Sequence, residues 1–164
     1  MTPDLTQSAL WFFVVMAPVC LFVVYSDLKY MKIPNWTVLL MVAVFSVVGL
    51  MFLPSGELLW RYAHLGVVLV IGFLLSSAGV MGAGDAKFAA AAAPFVALSD
   101  VGTVLVLLAF MGPTALILHR MAGRFGLKDA LPDWQSWQRS RDFPFGFPLA
   151  ATLMLYLGIL AFAG

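Results

Sequence analysis

Six long apolar runs, roughly Ala9–Tyr25, Trp36–Leu53, Tyr62–Val80, Asp85–Leu98, Val101–Leu118 and Phe143–Phe162, make up most of this chain. Each is continuous rather than alternating, which fits helices and not the two-residue period of barrel strands. Crossing ~30 Å of hydrocarbon takes roughly 20 mostly apolar residues, and only helices or closed barrels satisfy the backbone there. The runs therefore predict an all-α polytopic membrane protein, a bundle of about six transmembrane helices. A chain of 164 residues has room for that bundle and short loops, so residues 1–164 are expected to form a single membrane-embedded domain. Composition agrees: 63% of the residues are hydrophobic and 10% are charged, against about 25% charged in a soluble domain. The solvent for such a surface is lipid.

Charge fixes the orientation of the bundle. Lys29, Lys32, Lys87, Arg120, Arg124, Lys128, Arg139 and Arg141 flank the loops 26–35, 81–84 and 119–142, while Arg61 alone flanks the others. A Lys and Arg excess marks the cytoplasmic side, so both termini are expected outside. The first run has no basic residue before it, which argues for an uncleaved span and against a cleavable signal peptide. The formal net charge of +1 suggests no nucleic-acid partner. Cys20 is the only cysteine, so an intrachain disulfide and a cysteine-based zinc site are both excluded. His119 lacks spacing partners for a metal, and no metal or cofactor is expected.

Two runs are irregular. The fourth is short, Ala-rich from Phe88 to Ala93, and broken at Pro94. The sixth opens Phe143-Pro144-Phe145-Gly146-Phe147-Pro148, and its prolines predict no regular helix before about Leu149.

Acidic residues near span ends are few, and a carboxylate deep in a bilayer costs ~2.5–3.5 kcal/mol on insertion scales. Asp27 ends the first run, Asp85 starts the fourth, and Asp142 precedes the sixth. Asp129 and Asp133 belong to a solvated loop. Asp4, Glu57 and Asp100 fall on the outer side. Asp27 and Asp85 share a predicted membrane face, where two neighbouring carboxyls cannot both ionise easily. One proton shared by two carboxyls suits general acid–base hydrolysis of a peptide bond. Two span-end aspartates reaching water would occupy the same positions, and position alone leaves both readings open. Helix-end dipoles would put the resting proton on Asp27, which follows a helix, rather than on Asp85, which precedes one.

The neighbouring residues are more specific. Asp85 closes Gly82-Ala83-Gly84-Asp85, whose glycines permit positive φ and close approach of a substrate strand. Asp27 is followed six residues later by Ile33-Pro34-Asn35. Together these closely resemble the type IV prepilin peptidases, aspartic peptidases with a GxGD motif and a second aspartate followed by a hydrophobic residue, Pro and Asn or Asp. The Ala-rich stretch after Lys87 and Pro144-Phe145-Gly146 also fit that family, so the resemblance covers nearly the whole chain.

The resemblance implies catalytic Asp27 and Asp85, with Gly82, Gly84, Lys87, Pro34 and Asn35 binding substrate or shaping the site. It implies a prepilin substrate, a bacterial inner membrane with lipid around the helices, periplasmic termini and an active site at the cytoplasmic face. The short chain resembles the minimal Flp/Tad pilus members. The cysteine-bearing region of larger members is missing, so N-methylation of the product is not expected. A small transporter using the Asp pair as a proton relay, and a noncatalytic pilus-assembly subunit, are the rival readings. Against the transporter stand the acids at one face rather than mid-bilayer and the lack of an inverted repeat.

Overall fold

The computed structural model describes residues 3–139 and 143–163. Arg141 and Asp142, counted above among the inner-face charges, lie outside the described residues, as does the side chain of Asp4. Eight α-helices follow in order: α1 (Pro3–Tyr30), α2 (Asn35–Phe52), α3 (Ser55–Ser77), α4 (Ala83–Ala92), α5 (Val101–Ala122), α6 (Lys128–Ala130), α7 (Gln135–Gln138) and α8 (Gly146–Phe162). Among the described residues there is no strand. The all-α polytopic class is as the apolar runs predict.

The six runs are not equivalent, however. α1, α2, α3 and the stretch containing α5 are long and apolar enough to cross a membrane, and α8 is a shorter apolar helix. α4 has ten residues, ~15 Å at 1.5 Å each, and does not cross by itself. Pro94 is the cause, since it has no amide to continue the ladder. The chain goes on through two short 3₁₀ turns, Ala93–Phe95 and Leu98–Asp100. The carbonyls of Pro94 and Phe95 each accept a 3.2 Å hydrogen bond from Nη1 of buried Arg61. Arg61 is balanced one helical turn away by Glu57 at 2.6 Å. Thus the polar atoms released by the break find a charged donor in an apolar interior, where none could go unpaired cheaply. The sixth run also differs from expectation: α8 starts at Gly146, not Leu149. Pro148 falls in its first turn, where an amide has no intrahelical acceptor to lose.

Packing divides the helices into an inner and an outer set. α1, α2, α4 and α8 pack on one another, α1 most extensively on α8, while α3 leans on α4 and α5 on α8. Phe12, Phe45 and Phe95 form the centre, with ring centroids 5.8, 5.0 and 5.5 Å apart. Met16, Met41, Phe88 and Leu157 fill the space around them. The Ala-rich composition of α4 has a packing reason: small residues let helix backbones approach closely in lipid. A Cβ placed on Gly72 of α3 would lie 3.0 Å from the Ala86 methyl. α4 is thereby held deep among larger helices, with its start beside Ile33 and the first residue of α2.

Candidate active site

Asp27 lies one turn before the end of α1 and is 5% exposed. Met31 ends the helix in a left-handed conformation (φ 52), its amide still bonded to the Asp27 carbonyl at 2.9 Å. The Ser26 hydroxyl then donates to the Lys32 carbonyl at 2.8 Å, which pins the reversal. Pro34 caps α2 in an extended conformation, and the Thr37 hydroxyl donates to its carbonyl at 2.7 Å. The Ile33-Pro34-Asn35 segment is thus a rigid corner beside Asp27. Lys87 of α4 donates to Asn35 Oδ1 at 3.2 Å and ties that corner to the helix carrying Asp85.

A cavity of about 810 Å³ opens between these parts. Its lining includes Asp27, Asp85, Gly82, Gly84, Lys87, Pro34 and Asn35, all seven residues singled out in the sequence. It also includes Met31, Lys32, Ile33, Ala83, Arg139, Phe143 and Phe145. The two carboxyl groups, far apart in the chain, face one space at one end of the bundle.

Gly146 is the site residue that sequence reasoning did not assign. Its amide, the first of α8, donates to Asp27 Oδ2 at 2.7 Å across 119 residues of chain. A Cβ at Gly146 would lie 2.8 Å from that oxygen and 2.9 Å from Ile33 Cδ1. Only glycine brings the amide so close. The sole sequence signal was the Pro-Phe-Gly run before the last apolar segment. Asp27 stands in the last turn of α1 and also receives the first amide of α8, so two helix ends of opposite sign meet at its carboxyl.

The motif glycines act differently from the expectation that they supply positive φ. Gly82 has φ −64, and the positive-φ glycines among the described residues are Gly79 and Gly126. What Gly82 contributes is the lack of a side chain, since a Cβ there would stand 2.7 Å from Asp85 Oδ2. Gly84 has room for a methyl, with Ile33 Cβ at an ordinary 3.6 Å.

Asp85 is in the first turn of α4, outside the spanning helices. Burial away from water pushes its carboxyl up to about 6, and the negative Asp27 adds to the shift. Asp27→Asn removes the repulsion and keeps the burial. The Asp85 titration midpoint should therefore fall in that variant while staying above an ordinary carboxyl. Infrared titration of ¹³C-labelled aspartate checks this, and an unchanged or higher midpoint would mean that the two groups do not interact.

His119, considered above for metal binding, stacks on Trp137 with centroids 4.0 Å apart. Trp134 packs edge-on to Tyr25 at 5.9 Å. The segment bearing Trp134 and Trp137 folds back onto α1 and α5 and presents Arg139 to the cavity.

The model of the type IV leader peptidase family matches residues 8–118, a stretch that contains both aspartates. The chain belongs to the type IV leader peptidase family. No curated protein and no solved structure matches it. Family membership makes a protein substrate and proteolysis the frame for the cavity chemistry. The match ends before α8, so the Gly146 contact to Asp27 comes from the tertiary structure alone.

Proposed function

We propose that the protein is an aspartic endopeptidase that removes the leader from type IV prepilins of the Flp kind, with Asp27 and Asp85 as its catalytic pair. The observation that carries this reading is the convergence of both aspartates, with the residues flanking them in the two motifs, on one cavity. Asp27, oriented by the Gly146 amide, takes a proton from water as the water oxygen attacks the scissile carbonyl. Asp85, facing the same space from the first turn of α4, gives its proton to the carbonyl oxygen. The tetrahedral diol then collapses: one diol hydroxyl returns its proton to Asp85, the C–N bond breaks, and the proton on Asp27 passes to the leaving amine.

The Lys and Arg distribution supports a cavity at the cytoplasmic face of a bacterial inner membrane, with both termini periplasmic. Residues 1–164 act in this reading as one catalytic domain. Gly82 leaves space for the Asp85 carboxyl, Gly84 sets the start of α4 beside Ile33, and Pro34, Asn35 and Lys87 hold the corner beside Asp27.

Sealed membrane vesicles test activity and face together. A short peptide spanning a prepilin leader junction should be cut when added to inverted vesicles, whose cytoplasmic face is outward. Right-side-out vesicles should leave it intact. Cleavage only in the right-side-out preparation would reverse the topology, and cleavage in neither would remove the peptidase reading.

A further inference from the structure

We propose that an apolar groove between α3 and α5 seats the membrane helix of the substrate, the segment following the scissile bond. The proposal rests on the peptidase reading above and adds where the uncleaved part of the substrate is held.

The groove has a volume of about 530 Å³ and is walled by residues such as Ala63 and Val67 of α3 and Val104 and Leu105 of α5. Its floor is made by α4, which carries Asp85, and by α8, whose first amide holds Asp27. On α4, Asp85 lines the cavity and Ala89 and Ala92 line the groove. Spacings of four and seven residues put all three on one helix face. On α8, Gly146 touches Asp27, while Leu149, Leu153 and Tyr156 line the groove at helical spacing from it. The groove therefore begins about one turn beyond Asp85 on α4 and Gly146 on α8, on the same faces of those helices, and runs along the bundle to Trp60 and Val101. A chain leaving the cavity toward the membrane interior enters it directly.

Two further features favour a peptide helix over acyl chains. The floor of alanines lets another helix backbone approach, as small residues do at helix interfaces in lipid. Thr152, 3% exposed, lines the groove with a hydroxyl that has no hydrogen-bond partner, and His64 Nε2 on the opposite wall is also unpaired. Hydrocarbon tails offer neither atom a partner. A substrate helix can supply one polar side chain among apolar ones, at a depth about 9 Å along α8 from Gly146. The volume accommodates side chains from one helix face, so the remainder of the substrate helix stays in lipid.

The test compares two substrates in reconstituted protein. One is a leader junction followed by an apolar membrane helix, and the other is the same junction as a short peptide. Ala63→Trp and Leu105→Trp intrude from opposite, lipid-facing walls and leave the cavity untouched. Each should raise KM for the helix-bearing substrate by about tenfold or more, with cleavage of the short peptide unchanged, the mark of lost binding rather than lost chemistry. Equal loss on both substrates, or no loss on either, would overturn the proposal. Photocrosslinking reads the groove without catalysis. Leu105→benzoylphenylalanine should capture the substrate helix in an Asp85→Asn background, and the same residue at Leu39, on the lipid face of α2 and 69% exposed, should not. Failure of the wild-type protein to cut either substrate would count against the peptidase reading, while capture at Leu105 would still decide the groove. Capture at both positions or at neither would remove it.

Discussion

Asp27→Asn and Asp85→Asn are each expected to lower leader cleavage by about a hundred- to ten-thousandfold, the usual contribution of a positioned acid or base. Asparagine keeps the side-chain shape and an oxygen able to accept the Gly146 amide, so the fold around Asp27 should persist. What it cannot do is accept and return a proton at the required step. Expression, membrane insertion and the thermal transition in detergent should therefore match the wild type within experimental scatter. Asp133→Asn is the control. Its side chain is exposed in the loop before α7 and is absent from the cavity, so turnover should stay near wild type. The assay needs purified protein in lipid, where no second peptidase masks the loss. Retention of near-normal turnover by either cavity variant would end the aspartic mechanism and reopen the transporter and assembly readings.

Gly146→Ala should be nearly as damaging, although it alters no titratable group. The added methyl would lie 2.8 Å from Asp27 Oδ2, 3.0 Å from Asp27 Cγ and 2.9 Å from Ile33 Cδ1. None of these distances is tolerable, so the start of α8 or the Asp27 side chain must move. Displacement of about 1 Å at a reacting group can cost on the order of 10²-fold in rate, and a loss of that size in kcat is expected. Gly66→Ala gives the comparison. It is a glycine within α3 with open space where the methyl would go, and activity should be unchanged. If Gly146→Ala turned over like Gly66→Ala, the amide contact would be incidental to catalysis. A variant that failed to insert would be replaced by Gly82→Ala, which presses on Asp85 Oδ2 from 2.7 Å and touches no other helix.

The contrast between Gly82 and Gly84 shows how far a motif can be read. Both glycines mark the site by their place before Asp85, yet only Gly82 meets the carboxyl. A backbone argument from glycine's conformational freedom explains neither, because the freedom is not used at Gly82. Steric exclusion by a neighbour three residues on explains Gly82, and that depends on the rotamer of Asp85 in the folded helix. Likewise Pro94 is legible as a break, but the destination of the freed carbonyls is not. Arg61 meets them from more than thirty residues away.

What the sequence determined by itself is what short-range chemistry and solvent encode. Continuous apolar runs require lipid and helices, Lys and Arg asymmetry predicts a face, and two aspartates in flanking motifs name the candidates for catalysis. Each of these is written within a few residues or in overall composition. The tertiary structure decided which runs form long helices, which run is a short helix ended at Pro94, and what each carboxyl touches. Asp27 is set by the first amide of α8, 119 residues later, and the groove beside the cavity exists because α3 and α5 pack on different inner helices. Such contacts depend on how helix faces rotate and approach in the assembled bundle. Hydropathy is insensitive to that rotation, because every face of a membrane helix is apolar and no polar side marks which one must point inward.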